Sequence, residues 1–244
     1  MSSNPTYSTL SLRERLAPNP YPGRGIVLGL TPDGAHAVYA YFIMGRSDNS
    51  RNRIFTEFDD GSIRTEPYDV SRVKDPSLII YAPVRPYGKH VVVTNGDQTD
   101  TVVEGLSKGL SFSEALESRA FEPDAPNLTP RISGILNFEG TFGYDMSILK
   151  SADPEGSACN RFTYRYAALS GLGHFIHTYM GDGNPLPSFT GEPERVFLPN
   201  DIDELANEIW QSLNEENKIS LSVRFYSVKD GSLAASRLFN KYTK

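Results

Sequence analysis

Short apolar runs separated by polar turns recur along most of the chain. Val91, Val92 and Val93 stand in a row, as in a buried strand, and residues 219–227 alternate strictly, as in a half-buried strand. On this basis strands are predicted at residues 21–30, 36–44, 54–58, 62–66, 78–81, 90–94, 132–138, 141–150, 161–169, 173–179 and 219–227. Most of these strands follow one another closely, which favours antiparallel hairpin order.

Two helices are predicted in the middle of the chain. Ser111 is followed three residues later by Glu114, which is the spacing of a capping box, so a helix should open there and run to about residue 120. Residues 102–110 form a weaker helical segment ahead of it, because two glycines interrupt the pattern.

The clearest helical pattern follows Asn200, which is predicted to cap the helix. Its apolar side chains recur at intervals of three and four residues and so lie on one face of an amphipathic helix. These positions are Ile202, Leu205, Ala206, Ile209, Trp210 and Leu213.

The first residues, 1–20, are polar and contain several prolines, and they are predicted to form an N-terminal arm with a short helix around residues 10–16. No linker-like stretch interrupts the chain from residue 21 to residue 228, so residues 21–244 are predicted to be a single domain. Because the helices come in groups and do not alternate with strands, the pattern predicts an α+β fold with antiparallel sheets and helices outside them.

A polar stretch at residues 94–101 follows the strand predicted at His90–Thr94. Asn95-Gly96 is a dipeptide that normally marks a tight hairpin turn, yet no alternating apolar return strand follows it. The strand therefore delivers hydroxyls, an amide and carboxylates to one place, as a rigid scaffold does at a polar site. The alternative interpretation is a solvated surface loop.

Composition narrows the class of protein. The chain has 244 residues, 39% hydrophobic and 22% charged, which is typical of a globular domain with a proper core. Its single cysteine, Cys159, excludes an internal disulfide framework and a thiolate metal cage. No basic-then-apolar leader opens the chain and no run is long enough for a membrane helix, so we expect a cytosolic protein.

Charge indicates a small anionic ligand. The formal net charge of −6 disfavours a nucleic-acid or membrane surface as partner. Sixteen of the 24 basic residues are nevertheless arginines, and nine of these precede residue 86. Arginine presents a planar fork of donors that binds phosphate or carboxylate through two hydrogen bonds. Solvated surface arginines are the alternative for any single position.

The sequence gives little support for a metal site, a cysteine nucleophile, a phosphate loop or a serine-nucleophile elbow. His174 and His177 lie three apart on a predicted strand, which sends them to opposite faces, so no metal site is expected. Cys159 has no nearby base in the sequence that would make it a nucleophile. The chain also lacks a Gly-x-x-x-x-Gly-Lys phosphate loop and a Gly-x-Ser-x-Gly elbow, and no cofactor is expected.

One distributed set of polar residues remains, and each member adjoins a predicted strand. If the strand ends meet at one edge, these residues form an anion site with carboxylates beside it. The set comprises Arg24, Arg46, Arg51, Arg53, Tyr81, Arg85, the stretch 94–101, Thr129 and Arg131.

These residues also carry a family resemblance. The motifs are Tyr21-x-Gly-Arg24, Arg46-Ser with Asn52-Arg53, Asp75-Pro-x-x-Ile-x-Tyr81, Val92-Val-Thr-Asn-Gly-Asp-Gln-Thr-Asp-Thr101 and Asn127-x-Thr-Pro-Arg-Ile132. In order and in combination they resemble the archaeal-type IMP cyclohydrolase family and its bacterial relatives, across about residues 21–228. The resemblance implies a four-layer αββα sandwich similar to N-terminal-nucleophile hydrolases, without use of an N-terminal nucleophile.

The resemblance also implies a reaction. A formamido and a carboxamide group on one imidazole ribotide would condense to close the purine ring of IMP, with loss of water. Arg24, Arg46 and Arg53 would hold the 5′-phosphate, and Tyr81 with Asn95 and Gly96 would polarise the formyl oxygen. Further substrate-binding positions are Thr99, Thr129 and Arg131, and the candidates for the base are Glu122, Asp97 and Asp100.

Two departures from the family pattern keep alternatives open. Ala82 follows Tyr81 where the pattern has Asn, and Gly96-Asp97-Gln98 replaces Gly-Ser-His. An amidohydrolase of the same fold and a non-catalytic purine-nucleotide-binding protein are therefore the alternative functions. The expected partner is a small-molecule nucleotide, and a homo-oligomer is plausible because the arm could reach a neighbouring subunit.

Overall fold

Two antiparallel sheets form the centre of the protein. The computed structural model describes residues 7–73 and 80–242. The strands in chain order are β1 (Arg24–Leu30), β2 (His36–Met44), β3 (Ile54–Glu57), β4 (Ile63–Glu66), β5 (Val84–Tyr87), β6 (His90–Thr94), β7 (Arg131–Asn137), β8 (Gly143–Ser151), β9 (Cys159–Ala167), β10 (Leu172–His177), β11 (Glu194–Phe197), β12 (Lys218–Ser227) and β13 (Leu233–Asn240).

Five α-helices accompany these strands in the described residues. They are α1 (Leu12–Leu16), α2 (Asp48–Arg51), α3 (Gln98–Ser107), α4 (Phe112–Leu116) and α5 (Ile202–Ser212). A 3-10 turn covers Val70–Arg72. None of the helices in the described ranges is long and apolar enough to cross a membrane.

The sheets have different topologies. Sheet B is a seven-stranded meander in which β3 to β9 pair in sequence order. Sheet A has the order β11-β10-β1-β2-β12-β13, so the β1–β2 hairpin lies at its centre. The hairpin turn closes with a hydrogen bond from the Gly34 N–H to the Thr31 carbonyl at 2.9 Å, and Gly34 has φ +70°, which favours glycine. Antiparallel hairpin order is thus confirmed.

Three apolar cores separate four layers. The inner core joins the facing sides of the two sheets, through residues such as Ile26 and Tyr39 of sheet A and Val93 and Ile132 of sheet B. One outer core packs α1 and α5 on sheet A. The other packs α3 and α4 on sheet B. The order helix, sheet, sheet, helix confirms the four-layer αββα architecture.

The described part of the N-terminal segment lies in the helical layer. Ser11 and Glu14 form a capping box that starts α1, as the short helix predicted around residues 10–16 requires. Leu12 and Leu16 are almost fully buried in the core that α5 shares with sheet A. Residues 11–16 therefore contribute to the outer core rather than extending from the domain.

Strands with continuous apolar runs were predicted best. His36–Met44 and His90–Thr94 have their predicted bounds. The sequence missed β5, β11 and β13, since β5 contains Pro86, β11 has only four residues and β13 is half-exposed. Residues 78 and 79 of the strand predicted at 78–81 lie outside the described residues, and Ile80 and Tyr81 belong to no strand.

Three helix predictions need correction. The segment placed at 102–110 begins earlier, at Gln98, so the second half of the polar stretch 94–101 is the first turn of a helix and not a loop. The α4 helix has the predicted capping box at Ser111 but ends at Leu116. The cap of α5 is Asp201 and not Asn200, because the Asp201 carboxylate accepts from two backbone N–H groups of the first turn.

Candidate functional site

Several strand ends meet at one edge of the two-sheet sandwich. Arg24 opens β1 beside the ends of β2 and β10, since it pairs with Ile43 and its neighbour Gly25 pairs with His177. In sheet B, Arg131 opens β7 and pairs with Leu149 near the end of β8. Antiparallel neighbours bring these starts and ends together, so residues far apart in sequence become neighbours.

Close backbone packing positions Arg24. A Cβ on Gly23 would lie 2.2 Å from the Thr178 hydroxyl, and Gly23 also has φ +78°. A Cβ on Gly25 would lie 2.4 Å from the Phe42 ring. The glycines that flank Arg24 thus allow β1 to enter between its neighbours, which explains the motif Gly23-Arg-Gly25.

Two buried arginines and the partly buried Arg24 lie around this edge with one buried carboxylate. Arg24 faces Glu122 at 3.6 Å from nitrogen to oxygen. Arg131 contacts the Asp97 carboxylate at 2.8 Å and donates to the Gln98 side-chain oxygen at 2.7 Å. Arg53, just before β3, is 2% exposed. The cluster therefore carries more positive than negative charge in its interior.

Arg53 is incompletely paired. Its Nε donates to the Ser50 carbonyl at 2.8 Å, and it forms no ion pair with any residue in the ranges 7–73 and 80–242. Burial lowers the pKa of the Arg53 guanidinium, and the charge of Arg24 lowers it further. The Nε of Arg24 is also buried without a hydrogen-bond partner among the described residues. Both groups are poised to receive an anion from outside the chain.

Glu122 is the buried carboxylate of the cluster. Burial raises its pKa above the ordinary value, while Arg24, Arg131 and Arg53 offset part of that rise. For Arg24, burial acts to lower the pKa, but the Glu122 charge helps to raise it well above the ordinary value. The Glu122 N–H donates to the Thr129 carbonyl at 2.8 Å, which fixes its loop beside β7. A buried carboxylate with a raised pKa and a charged partner is a candidate for moving a proton.

Tyrosines line the cluster, and the sequence identified only part of them. Tyr81, predicted as a site residue, shares a hydrogen bond of 3.0 Å with the hydroxyl of Tyr41. Burial raises the pKa of Tyr41 well above its ordinary value. From the sequence, Tyr41 is one residue of an apolar strand. The only signal for its role is the alternation of side chains along the strand, which decides the face of the sheet that Tyr41 occupies.

A second tyrosine, Tyr179, was also missed. Its hydroxyl is hydrogen-bonded to that of Thr129, and burial raises the pKa of Tyr179 to about 12. Asp124 holds Thr129 by accepting from the Thr129 N–H at 2.7 Å and from its hydroxyl. Tyr21 stacks on Tyr179 with ring centroids 5.9 Å apart, and the position of Tyr21 in the motif with Arg24 was a usable signal.

Arg46 lies at the rim of the cluster. Its guanidinium is 5.0 Å from the centroid of the Tyr21 ring. It pairs with the Asp182 carboxylate and donates to the Gly183 carbonyl at 3.0 Å, and its side chain is 37% exposed. Arg46 is therefore close to the buried arginines but already has an anionic partner.

The polar stretch turns inward through its amides and hydroxyls. Asn95 accepts from the Ile132 N–H and donates to the Pro130 carbonyl, both at 2.9 Å. The hydroxyl oxygens of Thr94 and Thr99 lie 2.6 Å apart. The predicted substrate-binding positions Asn95 and Thr99 thus use their side chains within the protein.

The two aspartates of that stretch differ from Glu122. Asp97 pairs with Arg119 and Arg131. Burial acts to raise the pKa of Asp97, but the two arginines outweigh burial and lower this pKa below its ordinary value. Asp100 pairs with Arg85 at 2.5 Å on the surface, with a side chain 67% exposed. The structure brings Asp97 to the edge of the cluster and does not bring Asp100 to it.

The two histidines have internal partners. His174 forms a hydrogen bond of 2.7 Å with the Tyr144 hydroxyl and stacks on Tyr166, and burial lowers the His174 pKa to about 4. His177 is hydrogen-bonded to the Tyr179 carbonyl at 2.8 Å. No group of three or more potential metal ligands occurs in the described part of the chain.

A separate groove lies elsewhere on the described surface. It has a volume of about 870 Å³ and follows the opposite end of sheet B, with Lys89, His90, Asp145 and Arg165 among its lining residues. The residues predicted for the site are absent from its described lining. We assign the candidate site to the arginine cluster, because the unpaired buried charge lies there and not in the groove.

Comparisons with known proteins identify relatives of this chain. A family model described as IMP cyclohydrolase-like protein matches residues 21–231. A Methanococcus maripaludis protein named IMP cyclohydrolase is 32% identical over 129 residues, which are 51% of this chain and 62% of that protein. A Methanopyrus kandleri protein of the same name is 33% identical over 123 residues, 49% of this chain and 60% of that protein. The chain spans about 60% of the length of these curated relatives.

A solved structure, the Anbu (Gly-1) mutant from Hyphomicrobium sp. strain MC1, aligns over 91% of this chain and 90% of its own. Its TM-score is 0.36 and its sequence identity 12%, so the fold assignment rests on the sheets themselves. The family model, by contrast, matches residues 21–231, which are most of the chain and include Arg24, Arg53, Glu122 and Arg131. The resemblance predicted from the sequence is confirmed: the chain belongs to the IMP cyclohydrolase-like protein family.

Proposed function

We propose that this protein is an IMP cyclohydrolase, which closes 5-formamidoimidazole-4-carboxamide ribotide to IMP with loss of water. The observation that carries the proposal is the cluster in which Arg24, Arg53 and Arg131 lie around the buried carboxylate of Glu122. The cluster can bind a phosphorylated substrate and also move a proton. Relatives that are 32% and 33% identical to this chain over 129 and 123 aligned residues are named for this activity.

Arg53 is the strongest candidate for holding the 5′-phosphate. It has no carboxylate partner among the described residues, and phosphate would supply the anion that its burial requires. Arg24 is a second donor, because its Nε has no partner and its pairing with Glu122 at 3.6 Å is loose. Arg46 would join them only by leaving Asp182, so we place it at the entrance.

Glu122 is the proposed base. Its pKa is raised, whereas that of Asp97 is lowered by two arginines and Asp100 lies at the surface. A carboxylate with a raised pKa is the better proton acceptor near neutral pH. Tyr81, buried and oriented by Tyr41, is the proposed donor to the formyl oxygen.

The reaction needs positioning more than strong chemistry. The carboxamide nitrogen attacks the formyl carbon, and a new ring C–N bond forms. One proton from that nitrogen and one from the formamido nitrogen then leave with the formyl oxygen as water. Both reacting groups are on one molecule, so holding their rotamers could supply roughly 7–11 kcal/mol of the barrier. Glu122 would accept a proton and Tyr81 would stabilise the developing oxyanion.

The test is direct. Purified protein is mixed with the formamido ribotide, and IMP formation is followed by its absorbance. We expect IMP to form well above the spontaneous rate. Failure to do so would overturn the proposal. In that case tight binding of IMP would favour the nucleotide-binding alternative, and release of formate would favour the amidohydrolase.

A further inference from the structure

The buried polar residues at the start of α3 surround one side chain, Arg131. Asn95 hydrogen-bonds to the backbone on both sides of Arg131, through the Pro130 carbonyl and the Ile132 N–H. Gln98 accepts from the Arg131 guanidinium at 2.7 Å. Backbone and side chain of Arg131 are therefore held by the same short segment.

Gln98 is itself fixed. It is fully buried, and its amide nitrogen donates to the Asn95 side-chain oxygen at 2.9 Å and to the Ile132 carbonyl at 3.2 Å. These bonds determine which end of the amide faces Arg131, so the oxygen and not the nitrogen meets the guanidinium. A buried acceptor with its donors already satisfied holds a cation in one orientation.

Gly96 leaves the room that the guanidinium occupies. A Cβ at this position would lie 2.5 Å from the Arg131 Nη1 and 2.7 Å from the Gln98 side-chain oxygen. Since Gly96 does not have a positive φ, alanine would be tolerated by the backbone. The lack of a side chain at Gly96 therefore leaves the space that the Arg131 guanidinium occupies.

We propose that Asn95, Gly96 and Gln98, which we call the Arg131 seat, serve the site by fixing the Arg131 guanidinium against the bound nucleotide and not by contacting the nucleotide themselves. This inference rests on the proposed function only in taking a purine nucleotide as the ligand. It explains why a segment with no apolar side chain between Thr94 and Thr101 is almost entirely buried up to Thr99, with Asp97 as the exception. Gln98 is then a positioning residue and Arg131 the contact.

The experiment is a double-mutant cycle read by binding of IMP, measured by calorimetry. Gln98→Met keeps the length of the side chain and removes its polar atoms, and Arg131→Ala removes the contact. Each change should raise the Kd for IMP by roughly ten- to a hundredfold, the range for a hydrogen bond to a charged group. The double variant should bind no more weakly than Arg131→Ala alone.

Two further variants separate positioning from general damage to the fold. Gly96→Ala removes no polar group, yet it should also raise the Kd, because it displaces the guanidinium. Ser133→Ala removes only the longest Gln98 contact, 3.5 Å, and should leave the Kd unchanged. Thermal unfolding of each variant shows whether it is folded at the temperature of the measurement.

The pH dependence of kcat/KM distinguishes a positioning role of Gln98 from a purely structural role. Arg131 lowers the pKa of Glu122, so a loosened Arg131 should shift the acid limb of kcat/KM to higher pH in Gln98→Met. Additive effects of Gln98→Met and Arg131→Ala on the Kd would overturn the inference, as would an unchanged Kd in Arg131→Ala. If the wild type binds IMP but forms none, the proposed function fails while the binding cycle still decides the role of the seat.

Discussion

Two arginines are almost completely buried in this protein, and their surroundings differ. Arg224 on β12 donates to the Glu57 carboxylate at 2.6 Å, to the Gly61 carbonyl at 2.5 Å and to the Ser236 hydroxyl at 3.3 Å. Arg53 donates to the Ser50 carbonyl and has no carboxylate partner among the described residues. Burying a charge is costly unless it is paired, so Arg224 is completed by the chain itself.

This difference separates a structural arginine from a binding one. Arg224 ties β12 of sheet A to β3 and to the turn before β4, and it needs nothing from outside the chain. The burial of the Arg53 charge is only partly compensated, and Arg53 lies near Arg24, whose Nε has no hydrogen-bond partner among the described residues. Burial alone would rank the two arginines together, and only the list of partners distinguishes them.

The largest expected effect is the difference in kcat between substitutions of Glu122 and Glu57, the carboxylates near the two arginines. Glu122→Gln removes the proposed base, and we expect kcat to fall by roughly 10²- to 10⁴-fold. Glu57→Gln removes the carboxylate partner of Arg224, which is not part of the candidate site, and should leave kcat unchanged. Initial rates of IMP formation at saturating substrate decide the comparison. Equal rates in wild type and Glu122→Gln would mean that another group accepts the proton.

The stability of the fold should show the opposite pattern. Arg224→Met removes the donor to the Gly61 carbonyl and to the half-exposed Glu57 carboxylate, and we expect the free energy of unfolding to fall by about 1–2 kcal/mol through the lost hydrogen bonds. Arg53→Met, its matched control, removes a buried cation that lacks a carboxylate, so the free energy of unfolding should stay the same or rise. Urea denaturation of both variants without ligand measures this. A larger loss in Arg53→Met than in Arg224→Met would contradict the distinction.

Ligand binding should be weakened more by Arg53→Met than by Arg224→Met. Arg53→Met removes the proposed phosphate contact, and the KM for the ribotide and the Kd for IMP should each rise by roughly ten- to a hundredfold. Arg224→Met, assayed under conditions where it remains folded, should keep both values near those of the wild type. An unchanged KM and Kd in Arg53→Met would remove Arg53 from the phosphate site.

Much of this could be predicted from the sequence, for identifiable reasons. Residues 36–44 and 90–94 form continuous apolar runs, and buried central strands have this pattern whatever their neighbours. The four layers were predicted from the family resemblance. β5 could not be predicted, because Pro86 weakens a strand pattern, and only pairing with β4 and β6 stabilises it.

The site was predictable in membership more than in arrangement. Arg24 and Glu122 were both expected in the site, but 98 residues separate them and only the fold places them 3.6 Å apart. Tyr41 and Tyr179 were missed, because a tyrosine in an apolar strand looks like any other core residue. Whether its hydroxyl meets a site or a neighbouring backbone depends on which layer it faces, and sequence does not record that.

The smallest expected effect concerns pH and again involves Glu122. Burial raises its folded pKa above the ordinary value of 4.5, and the arginines around it offset only part of the rise. The folded state then binds this proton more tightly than the unfolded chain does. The resulting stabilisation is fully present below pH 4.5 and is lost as the pH rises through the folded pKa. Glu122→Gln should lack this loss.

Urea denaturation of wild type and Glu122→Gln at a series of pH values from 4 upward measures this difference. The free energy of unfolding of the variant, relative to wild type, should increase with pH over the window just above 4.5 and then become constant. A relative free energy that falls with pH in Glu122→Gln would mean that Arg24 stabilises the ionised carboxylate more than burial opposes it, and Glu122 would then be a permanent ion-pair partner and not a base.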